Sequence, residues 1–592
     1  MSRDLQVPAS PVGMPDERTS LLRSHSLSIQ SSGPVEPAGH DEENVVDGGG
    51  ELSPTSTVGS QNGLRGVFLV NADSAILLAL FRQIASDFDH LSSASWIISS
   101  YIIGVIVMQP LYGKLSNIYG RKPLLLFAYA CYCVGGLLAG LGFSFWGILA
   151  GRALCGVGNA GITVLISVLI LDLVPIREVA VWRGYVYAVN QAGRAVGPSL
   201  GGFIAESSNW RWALLYQVPL TALGLGFIWW KMSFPTPLHG LDELERESCQ
   251  QSKLKRIDFS GSISLGLANV SLLLFLDRVQ RSPKDLLNSL SAIFPLSTWV
   301  ALLLVFIAVE SFWAREPILP LRLLARRNVV SAYSIQFLQT AAQMALYTSI
   351  PLYFRVTMGD SGTVLGVRLM FITLGTIAGG LISGIVIKRQ VALTGLYRCL
   401  TVVSIVVSNL SFLTIFLRWR GATGWAETTY GFPIGLGFGV SLSAAFIGLA
   451  AGIDSSELAC STSGFYLSLN LGSLIGVSGA SLLIGAFVEH TLQKRLQDMP
   501  DAAKIIHDVT SNFDSINELP GYIAKIVLEA YTQSFVNVWL FSLVFGTLAL
   551  VASLAMREGQ LKADSSANKR RSSSLHSRDY STFPRRPNTM DR

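Results

Sequence analysis

The sequence predicts an all-α membrane protein in which fourteen helices cross one bilayer. Three observations carry that prediction. Half of the 592 residues are apolar, only 14% are charged against about a quarter in soluble domains, and mean hydropathy is +0.45. The apolar residues gather in runs of about twenty, the length a helix needs to cross a hydrocarbon core of about 30 Å. Basic residues collect between the runs. In lipid every backbone N–H and C=O must be paired inside its own segment or a closed barrel, so runs this long are helices.

Residues 1–63 are rich in Ser, Pro, Gly and acids and bury too little to offset the entropy of ordering them, so they read as a disordered tail. No cleavage-site pattern follows the first apolar run, which therefore stays as a span. The spans lie near 64–86, 95–116, 123–143, 146–171, 184–205, 212–232, 259–279, 293–314, 329–354, 365–387, 398–417, 430–452, 463–488 and 534–556, with Asp277 interrupting the seventh. Loops leading from even to odd spans hold Lys114, Arg121 and Lys122, then Arg177 and Arg183, then a basic group within 233–258. Such loops stay cytosolic, which puts both termini in the cytosol. Residues 489–533 become a long non-cytoplasmic loop, and 557–592, with Lys569-Arg570-Arg571, a basic cytosolic tail.

Several function classes drop out. HExxH, GxxxxGK[ST] and CxxC are all missing, which argues against an ATP-driven pump or a thiol centre, and no nucleophile and base pair appears for an enzyme. The seven histidines fall in tails, loops or span ends, so no metal site or cofactor is expected. Six cysteines make no disulfide framework. The net charge of +6 reads as topological, with no nucleic-acid partner.

Between spans two and three, Gly113-Lys114-Leu115-Ser116-Asn117-Ile118-Tyr119-Gly120-Arg121-Lys122 resembles the loop signature of the major facilitator superfamily. Span four adds Gly151-Arg152 with Gly156, Gly158 and Gly161. Span five adds Gly193, Gly197, Pro198, Gly201 and Gly202, which resembles the antiporter motif of the drug:proton antiporters. Fourteen spans resemble the fourteen-spanner branch, and the tone of spans one to five resembles fungal vacuolar basic amino acid transporters and their multidrug-resistance relatives. The resemblance implies the major facilitator fold: an N-terminal six-helix half at 64–232, an inserted helix pair at 259–314 and a C-terminal half at 329–556. It also implies alternating access about a midplane site. Asn117 stands where the loop signature usually carries an acid.

Asp73 falls near the midplane, where a charge is costly and a carboxyl can exchange a proton as its surroundings change. Arg152 and Arg194 are its possible counter-charges; an arginine could hold the α-carboxylate of an amino acid, or a fixed ion pair could simply join spans. Gln336, Gln339, Gln343 and Tyr347 share one face of span nine, which the family architecture makes a cavity wall. By the same resemblance Arg121 and Asp172, with Asn117 beside them, form a cytosolic gate. The glycines of span five remove bulk from a helix interface, and Pro198 invites a kink.

In the tail, Glu17 followed by Leu21-Leu22 resembles an acidic dileucine signal read by a sorting adaptor, pointing to the vacuolar membrane. The reading that results is a proton-coupled antiporter moving basic amino acids from cytosol to vacuole, its partners being small solute, protons and the bilayer. The alternatives are a plasma-membrane exporter of cationic drugs and a non-transporting nutrient sensor.

Overall fold

Helices begin and end in this chain where turn chemistry allows it. The computed structural model describes residues 54–90, 93–174, 176–231, 258–281, 290–313, 321–360, 362–390, 397–421, 423–451, 453, 457–497, 505–506, 509 and 520–557. The sorting motif at Glu17, Leu21 and Leu22 lies outside the described residues, as does all but Arg557 of the C-terminal tail. Among the described residues, fourteen membrane-length helical segments follow in order. Spans one to five are Pro54–Ser86, Ser95–Tyr119, Arg121–Leu141, Phe145–Leu173 and Ile176–Ser207. Span six is Trp210–Leu215 continued by Gln217–Lys231, span seven Phe259–Arg281, and span eight Leu290–Ala308 ending in a π-helical turn, Val309–Trp313. Spans nine to eleven are Arg327–Met358, Gly362–Gln390 and Tyr397–Arg418. Span twelve is Trp425–Thr428 continued by Gly431–Ala451, and spans thirteen and fourteen are Leu458–Arg495 and Gly521–Leu554.

Three boundaries differ from expectation. Span one starts at Pro54, so the end of the expected tail is helical; proline suits a first helical position because its missing N–H is an orphan there anyway. Spans thirteen and fourteen extend toward each other, shortening the expected 489–533 loop to 496–520. Leu492, Ile523 and Val527 are buried there and Arg495 pairs with Glu529 at 2.7 Å, so side-chain packing holds these extensions where hydrophobic length alone does not reach. Span five starts at Ile176, which moves Arg183 from a loop to two turns inside a helix.

Local signals explain other ends. Ser144 accepts from Gly147 N at 3.2 Å and Asn209 accepts from Arg211 N at 3.1 Å, each satisfying a free N–H of the helix it precedes. Gly120 has φ +88°, a left-handed backbone that lets span two turn directly into span three.

Span one packs on five and six, two on four, and three on four and six. Nine packs on thirteen and fourteen, ten on twelve, and eleven on twelve and fourteen, the same pattern moved on by eight spans. The halves meet reciprocally, two against thirteen and five against ten, while spans seven and eight form a pair leaning on two and thirteen. This is a two-half bundle with an inserted pair. Its outer surface is apolar: Leu223, Ile263, Phe294, Leu304 and Leu410 are exposed, as lipid-facing side chains should be. Phe143 and Trp146 at one end, and Trp229, Trp230 and Trp313 at the other, stand exposed where interfacial aromatics belong.

Eleven of these segments are long and apolar enough to cross a membrane by composition alone, among the described residues. The three that fall short are spans one, five and nine. Each of them brings polar side chains to the centre of the bundle, Asn71, Asn190 and Gln343 among them.

Candidate functional site

At the centre of the N-terminal half, Arg152 Nη1 donates to Asp73 Oδ2 at 2.7 Å, and neither side chain has any exposure. The guanidinium lies 4.7 Å from the centroid of the Tyr101 ring, whose hydroxyl bonds Ser74 Oγ at 3.0 Å. Asp73 Oδ1 and Arg152 Nε and Nη2 find no hydrogen-bond partner among the described residues. Two buried charges with three of their five polar atoms unmatched are poorly compensated for desolvation, since such a pair needs near-complete hydrogen bonding to break even. Of the two candidate counter-charges, the geometry selects Arg152.

Arg194 is elsewhere. It is exposed to a central cavity of about 150 Å³ between the halves, and its Nε donates to Asn71 Oδ1 at 3.3 Å. Asn71 and Asp73 sit two residues apart, about 200° around the helix, so span one turns its amide to the cavity and its acid toward span four. Asp73 and the cavity therefore lie on different faces of span one.

Span nine contributes Thr340, Gln343, Met344 and Tyr347 to the cavity. Of the expected stripe, Gln343 and Tyr347 are there and Gln336 and Gln339 are not; both of the latter are fully buried. Gln336 lies nearer the start of the helix, where its Nε2 donates to Thr340 Oγ1 at 3.5 Å, and Gln339 is turned off the cavity face. Periodicity gave the face but neither the depth nor the closure.

The span-five glycines set the wall between one and five. A Cβ on Gly193 would lie 2.7 Å from the Phe68 carbonyl oxygen, one on Gly197 2.6 Å from that of Ala72, and one on Gly201 2.7 Å from Ile76 Cγ2. Pro198 and Gly202 belong to the same helix. At the basic end of the bundle Arg121 gathers the other predicted residues: its Nε donates to Asp172 Oδ2 at 3.0 Å and its Nη1 to Asn117 Oδ1 at 2.9 Å and Ser116 Oγ at 2.8 Å. The Asn117 amide in turn faces Cys460 Sγ of the other half at 3.9 Å. Lys388 reaches Glu178 across the halves at 2.9 Å, and Ser167 bonds Tyr466 at 2.6 Å. In this conformation the halves are closed together at the basic end.

One residue of this closure escaped sequence reasoning. Arg183 had the look of a topological loop cation, yet it is only 2% exposed and lies 3.4 Å from the centroid of the Phe446 ring, with Phe465 and Tyr466 at 5.9 and 5.8 Å. All three rings belong to the opposite half. The missed signal was its position well inside a helix. No three side chains of His, Cys, Asp and Glu gather as a metal site would need, among the described residues.

The sequence model of the Major Facilitator Superfamily matches residues 65–485. The vacuolar membrane amino acid uptake transporter fnx2 of Schizosaccharomyces pombe is 28% identical over 84% of this chain and 84% of its own length. The multidrug resistance protein fnx1 of the same yeast is 28% identical over 81% of this chain and 88% of its own. Vacuolar basic amino acid transporter 2 of Saccharomyces cerevisiae is 28% identical over 78% of this chain and 97% of its own.

Proposed function

Because this chain belongs to the Major Facilitator Superfamily and is a membrane transporter, we propose that it exchanges protons for basic amino acids, carrying them from cytosol into the vacuole. The observation that carries the reading is the sealed and partly satisfied Asp73–Arg152 pair. A proton arriving from the acidic lumen bonds to the Asp73 carboxylate and removes its charge. The attraction to Arg152 falls, and span one is released from span four. Span five, close-packed on span one along Gly193, Gly197 and Gly201, moves with it and carries the cavity wall. Loss of the proton to the cytosol restores the ion pair and resets the bundle. Each pH unit across the membrane supplies about 1.4 kcal/mol per proton, enough to drive solute toward the acidic side.

With the basic end taken as cytosolic by its Lys and Arg, the conformation described is the one closed to the cytosol. Asn117–Cys460, Lys388–Glu178 and Ser167–Tyr466 are the cross-half contacts that opening must break, with Arg121 and Asp172 holding Asn117 in place from within the N-terminal half. The relatives named as vacuolar amino acid transporters support both cargo and address. A plasma-membrane exporter of drugs is the second reading, favoured by the likeness to fnx1. Against it, a cavity of about 150 Å³ is smaller than the roughly 300–1,000 Å³ of drug-sized sites.

Counterflow in reconstituted liposomes with labelled lysine, arginine, histidine and a cationic dye tests both readings. Basic amino acids should exchange and the dye should not. Asp73→Asn should keep counterflow and lose accumulation driven by a pH gradient; accumulation that survives this change ends the coupling scheme.

A further inference from the structure

Arg194 is the only formally charged side chain lining the central cavity, among the described residues. Its Nε is fixed by Asn71, and no described residue accepts from either Nη group, so the open edge of the guanidinium fork faces the cavity. Asn190 and Gln191, adjacent on the same helix, also line it and make no hydrogen bond within the described residues. No Asp or Glu lines the cavity among the described residues. Asp73 is sealed behind span one, and Asp172 belongs to the gate. We propose that Arg194 reads a carboxylate on the cargo, so that the site takes amino acids through their backbone acid and rejects amines and cations that lack one. This deepens the amino acid reading above and rests on it.

The argument is electrostatic. A cavity carrying one fixed positive charge and amide dipoles repels a free diamine, whereas a carboxylate neutralises Arg194 through two parallel N–H···O bonds, a geometry that an ammonium cannot offer. The cargo's amino group then meets the oxygens of Asn190, Gln191 and Gln343, which serve a cation without supplying a second charge. The side chain of the amino acid adds no counter-charge of its own. Basic cargo is thus held by what all amino acids share, and its preference over neutral cargo comes from weaker amide and aromatic contacts such as Tyr347.

Thermal stabilisation of the purified protein in nanodiscs tests this without requiring transport. Lysine, arginine and glutamine are compared with their methyl esters, and lysine with cadaverine, each as a direct titration. In the wild type the acids should stabilise, and esters and diamine should bind at least tenfold more weakly. Arg194→Gln should erase that difference, and Asn190→Asp, which places an acid beside Arg194, should let cadaverine bind. Esters binding as well as acids, discrimination that survives Arg194→Gln, or no stabilisation by any of the acids would each overturn the proposal. Discrimination that persists while pH-driven uptake is absent overturns only the transport reading.

Discussion

Asp73 and Arg152 show how much a single buried pair can demand of its surroundings. Removing one partner leaves the other charged, buried and alone, which costs about 3–5 kcal/mol. Arg152→Ala should therefore lower the thermal midpoint in detergent micelles sharply, whereas Asp73→Asn combined with Arg152→Gln, which removes both charges, should recover most of the loss. The Arg121–Asp172 pair behaves otherwise. Asp172 is 40% exposed, so its bond to Arg121 contributes about 1 kcal/mol at most. Asp172→Asn should change stability little, and Arg121→Ala should do more, because Asn117 and Ser116 lose their donor as well. The cost of an acid in hydrocarbon was readable from position; which of two arginines paired with it was not, because both lie inside apolar spans and only packing turns one toward it.

At the scale of elements, span five depends on being bare where it meets span one. Gly197→Ala should cost about 1–3 kcal/mol, the usual penalty for overpacking, because its new methyl would sit 2.6 Å from both the Ala72 carbonyl and the Ala75 Cβ. Gly226→Ala in span six is the control: nothing lies within 4 Å of that Cβ, so the change should be neutral or stabilise by up to about 1 kcal/mol through helix propensity. Paired melting curves decide between them. The glycine spacing was legible as an interface, though not which helix would fill it. The polar stripe on span nine was legible as a face, yet Gln336 and Gln339 are buried because packing within the half and helix rotation decide which of them reaches the cavity.

For the whole molecule, alternating access requires the basic end to come apart, and Arg183 stands against that. Its guanidinium is clamped among aromatic rings of the other half, an interaction of about 2 kcal/mol when desolvated, or roughly thirtyfold in the ratio of closed to open. Arg183→Ala should shift the population toward the conformation open at that end. Cys460, buried behind Asn117, reports it: in a background lacking Cys249 and Cys399, its labelling by a polar maleimide should rise by a similar factor. Unchanged labelling would mean the clamp contributes nothing to closure.

By itself the sequence determined that this chain lives in a bilayer as a helical bundle, because length and apolarity of each run are local quantities set by the hydrocarbon around them. It also marked the signature glycines and the costly acid, since missing side-chain bulk and desolvation act at single positions. Only the tertiary structure decided partnership: Arg152 with Asp73, Arg194 to the cavity, Arg183 across the halves. Three arginines of one chemistry take three different places because a side chain's neighbours come from helices far away in sequence, and the angle at which those helices pack is a property of the assembled bundle.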